Sequence, residues 1–140
     1  MIDEELTYSV IGAFFAVQKG LGNGFLENVY QSALEYELRK RGHAVTRELP
    51  VAIYYDGIEI ARQRLDLVVD GRLIVEAKAT KLLHNEAKAQ LYSYLRATNL
   101  EVGLLLHFNG RGGDFYRLEL PNSRKDLARG PINPSSPTSQ

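Results

Sequence analysis

Hydrophobic positions in the first forty residues recur with a helical period. Leu6, Val10, Phe14 and Val17 follow at spacings of four, four and three, and Ile11 and Phe15 widen the stripe. A helix over residues 4–19 is expected, with Asp3 as N-cap and Gly20 or Gly22 as its left-handed stop. A second helix, from about Leu26 to Arg41, turns Leu26, Tyr30, Ala33, Leu34 and Leu38 inward. It ends on the cations Arg39, Lys40 and Arg41, which complement the carbonyl end, and Gly42 closes it. The pattern then switches to β. Residues 45–55 and 58–69 read as strands joined at Asp56-Gly57, and Pro50 assigns the first to an edge or a bulge. A third strand covers residues 72–79. A third helix covers 84–97, with Ala87, Leu91, Tyr94 and Leu95 spaced for packing. Residues 102–108 form a continuous apolar run, the mark of a buried strand, and residues 115–120 return as a last strand. The order α-α-β-β-β-α-β-β makes an α/β (α+β) domain: one mixed β-sheet flanked by helices. Residues 1–120 form that domain. Residues 121–140, rich in Pro, Ser and Asn, are expected to be a flexible tail.

Composition narrows the function. At 140 residues the chain supports a single core. Seventeen Lys and Arg balance seventeen Asp and Glu, a formal net charge of zero, which argues against holding nucleic acid by bulk positive charge alone. A local basic groove stays open, and Arg39, Lys40, Arg41 and Arg47 are candidates for steering phosphate or for a solvated helix end. With no cysteine, disulfides, thiolate metal centres and cysteine nucleophiles are excluded. The acidic start Met1-Ile2-Asp3-Glu4-Glu5 is unlike a secretory leader, and the apolar runs are too short for a bilayer. A cytoplasmic location without membrane attachment is the expectation. No serine or threonine occupies a recognisable nucleophile motif. His43, His84 and His107 lack ligand spacing, and His107 reads as a core histidine.

The chemistry concentrates in residues 64–78. Residues two apart in a strand share a face, so Ile74, Glu76 and Lys78 point one way while Val75 and Ala77 point the other. The turn decides where Asp66 lies. A two-residue loop at Asp70-Gly71 sets Asp66 and Glu76 on opposite faces. A three-residue loop, Val69-Asp70-Gly71 with Gly71 left-handed, pairs Val68 with Arg72, Leu67 with Leu73 and Leu65 with Val75. That register gathers an apolar face and leaves Asp66 diagonal to Glu76 on the other, so hydrophobic pattern favours the odd loop. Two carboxylates about 4 Å apart repel by about 4 kcal/mol at an effective dielectric of about 20. A hard dication removes that cost, and oxygen ligands suit Mg2+ or Mn2+. For an isolated E-x-K in a strand, an ion pair between Glu76 and Lys78 on a solvated sheet face is the commoner explanation.

Asp66 followed by Glu76-x-Lys78, placed after a helix and between hairpin strands, resembles the PD-(D/E)XK nuclease superfamily. Residues 24–30 read G-x-x-E-x-x-Y through Gly24, Glu27 and Tyr30. With residues 11–13, 21–27, 89–95 and 102–105, this makes the chain similar to the GxxExxY protein family of that superfamily. Gln90 and Tyr94 also resemble the Q-x-x-x-Y helix motif of RecB-type nucleases. Gln18 departs from a histidine that many members carry, and Asn23 from a frequent proline. The resemblance spans roughly Glu5 to Leu120. It implies a restriction-endonuclease-like core and metal-dependent hydrolysis of nucleic acid, DNA before RNA. It also implies Mg2+ or Mn2+ held by Asp66, Glu76, the Ala77 carbonyl and Glu27, with Lys78 catalytic and Gln90, Tyr94 and Tyr30 orienting substrate. A catalytically silent nucleic-acid-binding or adaptor domain is the alternative. A homodimer or an unidentified protein partner remains open.

Overall fold

The computed structural model describes residues 2–125. Helix α1 (Glu4–Leu21) and helix α2 (Glu27–Lys40) precede strands β1 (Val45–Tyr55), β2 (Ile58–Val69) and β3 (Leu73–Lys78). Helix α3 (Asn85–Ala97), strand β4 (Val102–His107), strand β5 (Asp114–Glu119) and a short 3-10 turn (Asn122–Arg124) complete it. The strands lie side by side in chain order. All neighbours are antiparallel except β3 and β4, which run parallel because α3 carries the chain back between them. Pro50 lies on β1, an edge strand, as its missing N–H requires. Residues 121–125 dock on the main body: Asn122 N–H donates to Glu101, and Lys125 donates to the carbonyls of Thr98 and Leu100. The rest of the expected tail, residues 126–140, lies outside the described residues.

The sheet is sandwiched between two apolar layers. On one face, Val10, Phe14, Tyr30, Leu34 and Leu38 of α1 and α2 pack against Leu67, Leu73, Val75, Leu104 and Leu106. On the other, Leu91 and Leu95 of α3 pack against Val68, Ile74 and Leu105. Gly103 in β4 makes room for α3, since a Cβ there would meet Leu91 Cδ1 at 2.7 Å. The continuous burial of β4 follows from cover on both faces.

Three sequence expectations are corrected. Leu26, expected to turn inward, is the N-cap of α2 and is 77% exposed. Asp3 precedes α1, yet its side chain does not cap the helix; its carboxylate faces Arg72 at 3.5 Å. The β2–β3 loop is odd, as the hydrophobic pattern requires, but its residues are Asp70, Gly71 and Arg72, and Val69 pairs with Leu73. Asp70 and Gly71 both adopt left-handed backbone (φ 53 and 66), and Arg72 N–H closes the turn on the Val69 carbonyl. The slip moves every pair by one on each strand, so the faces survive and Asp66 comes to stand across from Glu76.

A hydrogen-bonded chain fastens this turn to the helices. His43 joins the Asp70 carboxylate through Nδ1 and the Ser9 hydroxyl through Nε2, each at 2.7 Å, and Asp70 Oδ1 accepts the Ala44 N–H. The order serine, histidine, aspartate matches that of a hydrolase triad. Ser9, however, lies mid-helix, where neighbouring N–H groups serve the helix ladder and none is left to bind an oxyanion. The chain therefore acts as a strap. His43→Ala leaves the Asp70 carboxylate short of a partner and is expected to cost about 1.5–3 kcal/mol in denaturant unfolding. An unchanged midpoint would show that the strap contributes nothing.

Candidate active site

Strands β2 and β3 form ladder pairs only from Leu67 with Val75 to Val69 with Leu73. Beyond that point side chains replace the ladder. Asp66 N–H donates to Glu76 Oε2 at 2.8 Å, and Ala77 N–H donates to Asp66 Oδ2 at 3.1 Å. Each carboxylate thus fills the gap left by the parting backbones. The break extends to β1. Glu48, at the β1 position across from Asp66, has φ +52, a conformation that costs a non-glycine residue on the order of 1–2 kcal/mol. The layers change sides there. Leu67 packs with α1 and α2, whereas Leu65 packs with Val68 and Ile74 beneath α3. The single apolar face expected of Leu65, Leu67, Leu73 and Val75 is therefore interrupted at Leu65.

Burial sets the electrostatics. Glu76 is 3% exposed. Desolvation, with the Asp66 charge beside it, pushes its carboxyl up to about 8, against the Asp66 N–H and the Lys78 ammonium. Desolvation also raises Asp66, opposed by the Ala77 N–H, Lys78, a hydrogen bond from Gln31 and Arg47. Tyr94 is buried, and desolvation together with the charges of Glu76 and Asp66 pushes its phenol up to about 12. Its hydroxyl therefore stays protonated.

Lys78, two residues beyond Glu76, faces Glu27 at the start of α2, Nζ to Oε1 3.9 Å. Both line a cleft of 290 Å3 between the ends of α2, β3 and α3, together with Thr80, His84 and Gln90. The structure thus brings Asp66, Glu76, Ala77, Lys78, Gln90 and Tyr94 to one place. Glu27 reaches that place but attends to Lys78. Among the described residues, no group of three or more acidic or histidine side chains is gathered as for one metal ion. Tyr30 lies elsewhere. Its hydroxyl donates to the Gly22 carbonyl at 2.7 Å and its ring stacks on Phe108 at 4.4 Å, so it fixes the glycine turn that aims α2. His107 is buried, with Nε2 on the Thr80 carbonyl at 2.5 Å, and holds the segment after β3.

Gln31 had no signal in the sequence beyond following Glu27 by one helical turn. It supports Asp66 and lies 3.5 Å from Arg47 Nη2, while Arg47 Nη1 donates to Glu35. The cations at the end of α2 are paired as well: Arg39 with Glu35, and Lys40 and Arg41 with Glu37. They form a neutralised helix end.

An acidic couple across a broken strand pair, a lysine one step along the same strand and a helix crossing back over the site define a nuclease-type mixed-sheet domain. The chain belongs to the PD-(D/E)XK nuclease superfamily, whose family model matches residues 4–117. No curated protein and no solved structure matches it. Among the described residues no helix is long and apolar enough to cross a membrane.

The raised Glu76 carboxyl has a thermodynamic consequence. The fold favours its neutral form, so this contribution to stability is full below the unfolded value of 4.5 and is lost as pH rises through about 8. The effect is on the order of a few kcal/mol. The melting temperature of the wild type is expected to fall across that window, and that of Glu76→Gln to fall less and to exceed the wild type at the alkaline end. Parallel curves would show that Glu76 is not held neutral.

Proposed function

We propose that this protein is a divalent-metal-dependent nuclease that hydrolyses phosphodiester bonds in nucleic acid, DNA before RNA. The Gly24–Tyr30 motif supports reading it as one of the GxxExxY proteins of its superfamily. The observation that carries the reading is the Asp66–Glu76 couple: two carboxylates buried together, bonded through backbone N–H groups, beside a lysine and a cleft. Their shared repulsion and the pull of Glu76 toward protonation suit a hard dication, Mg2+ or Mn2+, held by Asp66, Glu76 and the Ala77 carbonyl. Such an ion, when bound, supplies an acidified water and neutralises charge developing on phosphoryl oxygen.

The chain's own groups do the rest. Lys78 sets its ammonium against a phosphoryl oxygen or the attacking water. Tyr94 offers a proton it does not lose, and Gln90, on the cleft wall, orients the substrate. Glu27 competes for Lys78 and holds it in the cleft until a phosphate takes its place.

That same Glu27–Lys78 contact supports a second reading, a catalytically silent nucleic-acid-binding or adaptor domain that keeps the fold. The two separate on one series. For a nuclease, Asp66→Ala, Glu76→Ala and Lys78→Ala each lower cleavage by about a hundredfold or more while the circular dichroism spectrum is kept. Absence of cleavage by the wild type on every DNA and RNA form, with Mg2+ and with Mn2+, would overturn the hydrolytic reading. Binding that persists without metal and survives Lys78→Ala would establish the second.

A further inference from the structure

The β1–β2 hairpin outruns the rest of the sheet. The β2–β3 ladder covers only Leu67–Val69, so residues 58–64 of β2 run on beside β1 alone among the strands. All seven are exposed, whereas Leu65 next to them is buried. The projection is well formed. Asp56 and Gly57 both take left-handed backbone (φ 53 and 74), the geometry of a tight hairpin turn, and Tyr55 pairs with Ile58 across it. Large apolar side chains stand at the far end: Tyr55 is 71% exposed, Ile58 65% and Ile60 62%. Ile60 is the extra residue of a bulge, since Ile53 pairs with Ala61 and Tyr54 with Glu59.

A strand edge turned to solvent is a template for another strand, and proteins blunt the edges they do not use. The outer strands are blunted in this way: β1 by Pro50 and left-handed Glu48, β5 by being six residues long and charged at Asp114, Arg117 and Glu119. The outrunning part of β2 has no proline and keeps two isoleucines in water. Its charges are sorted by position. Asp56 and Glu59 lie at the tip, Arg62 and Arg64 at the stem. Glu59 pairs with Arg62 at 2.9 Å and Arg64 with Glu48 at 3.8 Å, but both pairs are exposed, where such contacts contribute little. The arginines are thus able to share a second carboxylate. Two copies of this segment laid antiparallel set the acidic tip of each against the basic stem of the other, twice over. The same arrangement lays the arginine methylenes along Ile58 and Ile60. Parallel pairing sets acid beside acid and base beside base.

We propose that this protein forms a twofold-symmetric dimer in which residues 58–64 of two copies pair antiparallel, joining the two hairpins into one four-stranded ribbon. Such a dimer is independent of the hydrolytic reading. Sedimentation velocity of the full chain, from about 10 μM to about 1 mM, is the test. A monomer–dimer equilibrium is expected within that range, weak because the contact is small. Ile60→Lys is expected to weaken it about tenfold or more, and Glu59→Arg about threefold to tenfold. Adding Arg64→Glu to Glu59→Arg is expected to recover most of the second loss, because the exchange again sets acid against base between copies. These positions are exposed, and unchanged melting temperatures confirm that the variants fold. A monomer throughout, assemblies larger than a dimer, or a dimer indifferent to Ile60→Lys would overturn the proposal. So would a double variant that associates no more tightly than Glu59→Arg alone.

Discussion

The structure turns on a place where a β-ladder stops. Strands β2 and β3 pair for three residues each and then part, and an unpaired backbone N–H in a buried site is costly. Asp66 and Glu76 supply the missing acceptors, one for each strand. The exchange satisfies the backbone and leaves two acids in an environment that disfavours their charges. Backbone pairing and charge are thereby set against each other at one point: the groups that close the sheet are the groups whose charges burial disfavours.

The rest of the fold keeps that point rigid. Helices α1 and α2 pack under one face and α3 under the other, so the parted strands cannot close by sliding. The strap from Ser9 through His43 to Asp70 ties the β2–β3 turn to the helical layer. Left-handed Glu48 sits across from Asp66 on the opposite strand, and the layers change sides at the same level. Strain beside a buried acidic pair is what a site maintained against folding energy looks like. The parallel β3–α3–β4 crossover then opens a crevice at the carboxyl end of β3, where Lys78 stands, as open α/β sheets generally do.

The elements were legible in the sequence because each repeats its signal many times. The helical stripe of Leu6, Val10, Phe14 and Val17 and the unbroken apolar run of β4 survive the loss of any one residue. The odd β2–β3 loop was legible for the same reason, since a one-residue slip would have inverted Leu67, Leu73 and Val75 together. Its identity was not: Asp70 rather than Val69 opens the loop, and an aspartate at φ 53 is a local choice that hydrophobic pattern does not see. Leu65 was misassigned because strict alternation assumes an unbroken ladder, and the pairing of β2 with β3 ends at Leu67. Of the candidate site, the carboxylates and Lys78 were legible from strand spacing, and Gln90 and Tyr94 from motif. Tyr30 carries the same motif yet serves the turn, and the role of Gln31 depends on Arg47 from β1, a contact that exists only once the chain has folded.

In the proposed nuclease the acidic pair holds a proton where a dication would bind. Calorimetric titration of the protein with Mn2+ near neutral pH, repeated in buffers of different ionisation enthalpy, measures it directly. Because burial pushes Glu76 up to about 8, binding is expected to release about one proton per ion, and Glu76→Gln is expected to abolish that release. Binding with no proton release, or no binding at all, would contradict the claim.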